Sequence, residues 1–155
     1  MPRKPERLIS NISNASIPKE GTKCAAPGST SAHPLILLVE DDPNARIVLQ
    51  FSLRCRGYSV EEAENGNSAI QKLEQTTPGL VLTDLQMPVM NGIELVQAIR
   101  RLGSLRDVPI LVMTAFDTDL SQEALRRGAN DTIQKPIQLP LLFQKIETLL
   151  STNQL

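Results

Sequence analysis

The sequence predicts an α/β fold of five βα units, a doubly wound sandwich with a central five-stranded parallel sheet. Short β-rich apolar runs alternate with longer segments of helical spacing along residues 35–155. Proline and glycine punctuate that alternation where helices should begin and end. A polar, chemically capable residue follows four of the five apolar runs, as expected where strands of such a sheet present their carboxyl ends.

The first strand is expected at "LILLV" (35–39), a continuous apolar run suited to a strand buried on both faces. Pro43 suits the first turn of a helix over 43–56, and Gly57 suits its end. "YSVEEA" (58–63) is the second strand, and 66–76 the second helix. "LVLT" (80–83) is the third strand, followed by Asp84 and a helix over 92–102. "VPILVMT" (108–114) is the fourth strand, and its helix, 117–127, stops at Gly128. "NDTIQ" (130–134) is the fifth. The last helix, 139–151, aligns Leu142, Ile146, Leu149 and Leu150 on one face and should close a flank of the sheet. Leu141 stands off that stripe, either as an ordinary exposed leucine or as part of a partner surface.

Residues 1–34 read differently. They hold five of the eleven prolines, five serines and few large apolar residues, too little to offset the entropy of ordering. Arg3, Lys4, Arg7, Lys19 and Lys23 against Glu6 and Glu20 make this tail basic, whereas residues 35–155 are net acidic. The expected organisation is therefore a disordered Pro/Ser-rich basic tail, 1–34, and one domain, 35–155. No apolar stretch approaches the roughly 18 residues that span a bilayer, and the N-terminus lacks the uninterrupted apolar core of a signal peptide. A cytoplasmic protein without membrane insertion is expected. Cys24 and Cys55, 31 positions apart, match neither a zinc knuckle nor a redox pair, and both are expected as free thiols. His33 is the only histidine and has no Cys or His partner nearby in sequence.

The residues after the strands carry the chemistry. Glu40-Asp41-Asp42 follows the first, Asp84 the third, Thr114-Ala115 closes the fourth, and Lys135-Pro136 follows the fifth. Converging carboxylates repel one another unless a hard cation with oxygen ligands balances them, and Mg²⁺ fits that role. Asp41 and Asp84 would bind it directly and Glu40 through a water. Mg²⁺ keeps waters and recruits phosphoryl oxygens, which makes a phosphate the expected visitor. Lys135 would face one phosphoryl oxygen, and the Thr114 hydroxyl with the Ala115 backbone N–H another. No Gly-rich phosphate loop opens a helix, and no Ser/His/Asp triad can be assembled. What remains is attack by Asp84 itself on phosphorus. Asp42, just before Pro43, reads equally as a helix cap. Arg126-Arg127 suits a helix C-terminus better than a nucleic-acid contact.

"ILLVEDDP", "LVLTDLQMPVMNG", "ILVMTA" and "GANDTIQKP", in that order, resemble the receiver domain of two-component response regulators, the CheY-like family, across about residues 35–151. The resemblance implies a flavodoxin-like fold with Asp84 as phosphoacceptor and Glu40-Asp41 as the acidic pair. It implies Mg²⁺ held by Asp41, Asp84 and the Gln86 backbone carbonyl, with Thr114 as the switching hydroxyl, Lys135 as the phosphoryl-contacting amine, and a cis Lys135-Pro136 bond. Gln86 and Phe116 occupy positions that border the phosphorylation site and can set the phosphoryl lifetime. One departure stands out: Thr132 takes the place of the aromatic that usually precedes the lysine by three residues.

The implied function is a single-domain response regulator whose donor is a sensor histidine kinase or histidine phosphotransfer protein. Its listener is a protein that reads the face formed by 117–151. It would catalyse only its own phosphorylation and dephosphorylation, with no direct nucleic-acid contact. A Mg²⁺-dependent phosphohydrolase of the haloacid-dehalogenase-like kind is the rival reading, but that chemistry wants a second acid where Gln86 stands. A receiver serving only as a protein-interaction module is the other.

Overall fold

A computed structural model describes residues 34–115 and 118–154. The elements run β1 (Leu35–Val39), α1 (Pro43–Cys55), β2 (Ser59–Ala63), α2 (Gly66–Leu73), β3 (Leu80–Asp84) and α3 (Gly92–Arg101). A single 3₁₀ turn (Gly103–Leu105) follows, then β4 (Ile110–Thr114), α4 (Thr118–Arg126), β5 (Asp131–Gln134) and α5 (Leu139–Thr152). The five strands pair in parallel in the order β2-β1-β3-β4-β5, the arrangement of a flavodoxin-like sandwich.

All ten expected elements are present, β1 with its expected bounds and the others with one or both ends shifted by one to three residues. The second helix ends at Leu73 rather than 76. The fourth strand begins at Ile110 rather than 108, because the Val108 N–H is spent on the Leu105 carbonyl of the 3₁₀ turn. Asp84 lies inside β3, as its last residue.

Strand alternation divides the interior into two layers. Leu37, Val39, Val81 and Val112 pack with Leu95, Val96 and Ile99 of α3 and with Ala69 and Ala124 of α2 and α4. Ile36, Leu38, Leu80, Leu82, Leu111, Met113 and Ile133 pack on the other face with Leu49 and Leu53 of α1 and Leu142 and Ile146 of α5. At about 25 cal/mol per Å² of apolar surface removed from water, these two layers supply most of the driving force for folding.

The helix starts follow from side-chain caps. Asp42 accepts hydrogen bonds from the N–H groups of Asn44 (2.8 Å) and Ala45 (3.4 Å), which settles its structural part as the cap of α1. Asn65 and Asn91 each form a reciprocal capping box, with Ser68 and Glu94. At the start of α3, a side chain on Gly92 would place its Cβ 2.4 Å from the Asp84 carbonyl oxygen, so glycine is required for that close approach. Arg100 ties down the far edge: its guanidinium donates to the carbonyls of Arg106, Val108 and Gly128 and to Asn130 Oδ1.

Cys55 corrects an expectation. It is disulfide-bonded rather than a free thiol. Wide sequence spacing argues against a metal knuckle but does not prevent a disulfide from closing a long loop. Cys24, His33 and the tail 1–33 lie outside the described residues. Among the described residues, no helix is long and apolar enough to cross a membrane.

Candidate functional site

The residues that follow the strands meet at the carboxyl edge of the sheet. One carboxylate oxygen each from Glu40, Asp41 and Asp84 lies within 4.8 Å of the others. Glu40 is 1% exposed and Asp84 6%, whereas Asp41 is more open to solvent. Lys135 Nζ reaches into the cluster and donates to Glu40 Oε2 at 3.1 Å and to Asp84 Oδ2 at 3.0 Å.

Backbone and side-chain bonds hold each carboxylate in place. The Asp42 N–H donates to Glu40 Oε1 (3.2 Å), and the Gln86 N–H donates to Asp84 Oδ1 (3.3 Å). Arg46, one turn into α1, donates to the Glu40 carbonyl (2.6 Å) and steadies the acidic loop from below. The Lys135 N–H donates to the Thr114 carbonyl (2.8 Å), so the lysine and the threonine are carried by one ladder bond. Lys135 is followed by a cis peptide bond to Pro136, as expected.

The electrostatics are those of a site short of positive charge. Burial, followed by the nearby charge of Asp84, raises the Glu40 pKa above the ordinary carboxyl value despite the hydrogen bonds from Lys135 and Asp42. For Lys135, burial opposes the charge, but hydrogen bonds and charge from Asp84 and Glu40 outweigh it and hold the ammonium pKa above its usual value. Three carboxylates against one ammonium leave an excess negative charge partly out of water. That donor set is all oxygen, and it fits a hard divalent cation.

Thr114 is buried at the end of β4. Its hydroxyl donates to the Ala115 carbonyl (2.9 Å) and accepts from the Ser121 hydroxyl of α4 (3.4 Å). Thr114, Ser121, Thr132 and Gln134 help line a shallow cavity of about 210 Å³, so the place of the missing aromatic at Thr132 is polar and partly open. Gln86 is exposed beside Asp84, and Phe116 lies outside the described residues. The sequence reading therefore brings Glu40, Asp41, Asp84, Thr114, Ala115 and Lys135 to one edge. It missed Arg46 and Ser121. Arg46 sits one helical turn beyond the Asp42 cap, a spacing from which contact with the acidic loop could have been read. Ser121 had no such signal.

Residues 36–147 match the family model described as the response regulator receiver domain. The response regulator MprA of Mycolicibacterium vanbaalenii is 39% identical over 116 residues, 74% of this chain and 49% of that protein. The chain thus spans about half the length of that relative. An uncharacterised 14.6 kDa protein of Leptolyngbya boryana is 38% identical over 109 residues, covering 70% of this chain and 83% of its own. Among solved structures, the receiver domain of a sensor histidine kinase from Pseudomonas aeruginosa superposes with a TM-score of 0.73 at 31% identity, covering 77% of this chain and 99% of that one. That structure has a magnesium ion coordinated in its active-site cleft.

Proposed function

The chain belongs to the receiver-domain family of two-component response regulators, and on that premise we propose that Asp84 is its phosphoacceptor. The observation that carries the assignment is the position of this carboxylate. It ends β3, is nearly buried, and is gripped by Lys135 within the Glu40–Asp41–Asp84 cluster.

Asp41, Asp84 and the Gln86 carbonyl would hold Mg²⁺, with Glu40 acting through a water. When bound, the ion supplies charge neutralisation and orients a phosphoryl oxygen. The chain's own residues do the rest. An Asp84 carboxylate oxygen forms the new bond to phosphorus as the P–N bond of a phosphohistidine breaks. The electron pair of that bond stays on the donor's imidazole, whose other ring nitrogen carries a proton, so the ring leaves as neutral imidazole. Lys135 offsets the charge developing on one phosphoryl oxygen, and the Thr114 hydroxyl and Ala115 N–H bind a second. Water attack on the acyl phosphate then releases inorganic phosphate and restores Asp84. Gln86, exposed beside Asp84, borders the path of that water and sets the lifetime.

In this reading residues 35–155 form the receiver and 1–34 a separate basic tail. The donor is a sensor histidine kinase or histidine phosphotransfer protein, and the listener is a protein that reads the face 117–151. The protein works in the cytoplasm without contacting nucleic acid and turns over no substrate but its own phosphoryl group. Incubation with Mg²⁺ and acetyl phosphate should add one phosphoryl group by intact mass. Asp84→Asn should abolish the addition, and labelling that persists in the variant overturns the assignment.

A further inference from the structure

The first turn of α4 is joined to the phosphorylation site by a pair of hydroxyls. Among the described residues of α4, Ala124 alone is buried, while Leu120 and Leu125 are only partly covered by the core. Between the start of this helix and the ends of β4 and β5 lies the polar cavity of about 210 Å³, which the short side chain of Thr132 leaves open. At the edge of that cavity the Ser121 hydroxyl donates to Thr114 Oγ1 at 3.4 Å. We propose that Ser121 is a positioning residue for α4: when Thr114 turns toward a phosphoryl group on Asp84, the hydroxyl bond draws the first turn of the helix after it, into the cavity.

Hydroxyl chemistry gives the link its direction. A hydroxyl has one proton to donate and two lone pairs with which to accept. The Thr114 proton goes to the Ala115 carbonyl, 2.9 Å away, and a lone pair takes the Ser121 proton. A phosphoryl oxygen is the better acceptor, since a hydrogen bond to a charged oxygen is roughly twice as strong as one to a neutral carbonyl. Turning toward it takes Thr114 from the Ala115 carbonyl but keeps the lone pair that Ser121 uses.

Length and packing then decide what moves. At 3.4 Å the bond is already long for two hydroxyls, so it survives a displacement of Thr114 only if Ser121 follows. The helix is built to follow at this end. Its buried anchor, Ala124, lies three residues further along, and open space stands beside its first turn. The sheet side is fixed by contrast: Thr114 is buried, and its carbonyl accepts the Lys135 N–H from β5's end at 2.8 Å. The inference rests on the Asp84 assignment and adds the residue through which α4 answers it.

The test follows amide exchange of the full chain in Mg²⁺, with and without acetyl phosphate, and reads phosphoryl content by intact mass in the same samples. In the native chain the phosphoryl group should slow exchange over residues 118–126 several-fold. Ser121→Ala should accept the phosphoryl group yet lose most of that slowing, and Ser121→Thr, which keeps the hydroxyl, should restore it. Adding Ser121→Ala to Thr114→Ala should change the response no further, because each removes the same bond. A Ser121→Ala response equal to the native one at equal phosphoryl content overturns the inference and leaves the Asp84 assignment standing. So does a Ser121→Thr response no larger than that of Ser121→Ala, which would trace the loss to packing. A native chain that gains no phosphoryl group overturns both.

Discussion

Lys135 Nζ lies 3.0 Å from Asp84 Oδ2, and this ammonium is the only cation that touches the two buried carboxylates among the described residues. A metal ion must share those carboxylates with it. Lys135→Ala should therefore bind Mg²⁺ more tightly by titration calorimetry, because the cluster loses its internal counterion. In chelator the same variant should unfold at a lower temperature, since two carboxylates are left without their partner, at a cost of about 1–3 kcal/mol. Weaker Mg²⁺ binding in the variant would mean that the lysine orders the site rather than balances it.

Glu40 gives a pH dependence with a definite sign. Its pKa in the fold is raised above the ordinary 4.5, first by burial and then by Asp84. A raised folded pKa means that its contribution to stability is fully present below the unfolded value and is lost as pH climbs through the folded value. In metal-free buffer, thermal midpoints should therefore fall as pH rises from the unfolded value through the folded one. Glu40→Gln should flatten that fall, and added Mg²⁺ at neutral pH should raise the native midpoint more than the variant's.

Thr114 and Thr132 separate in their expected effects. Thr114 is the buried hydroxyl that β4 presents at the site and that Ser121 joins to α4, whereas Thr132 lines the neighbouring cavity without touching the carboxylates. Thr114→Ala should still accept a phosphoryl group but lose most of the phosphorylation-dependent change in amide exchange over residues 118–134. Thr132→Ala should retain that change. A response that disappears in Thr132→Ala would show that this position transmits the signal despite lacking a ring.

Two positions at the approach to α3 test the support beneath Asp84. Val89 is a β-branched residue at φ 72°, 85% exposed, and Val89→Asn should raise stability by about 1 kcal/mol because asparagine tolerates that backbone region. Gly92→Ala should do the reverse by more than about 2 kcal/mol, since its methyl group would press on the Asp84 carbonyl. Urea midpoints of the two variants moving in the same direction would contradict this account of the approach to α3.

The strands were legible because a parallel sheet buries both faces and leaves continuous apolar runs such as "LILLV" and "LVLT". The site was legible for a related reason: a carboxylate, hydroxyl or lysine directly after such a run has nowhere to go but the sheet's edge. Ser121 was not, because its contact with Thr114 depends on where α4 settles against β4, and no spacing encodes that. The Cys55 disulfide was missed because sequence separation does not bound cysteine pairing. The 3₁₀ turn at Gly103–Leu105 was missed because a single turn is too short to show a period.

The sheet that separates the two interior layers also divides the site. By strand alternation, Glu40, Asp84 and Lys135 continue the rows of Leu38, Leu82 and Ile133 on the side of α1 and α5, whereas Thr114 continues the row of Val112 on the side of α3 and α4. A group bound to Asp84 that engages both Lys135 and Thr114 is thus a rivet through the sheet. It fastens together two half-cores that lie on opposite faces of the strands, so a shift begun on one side of the sheet is felt on the other.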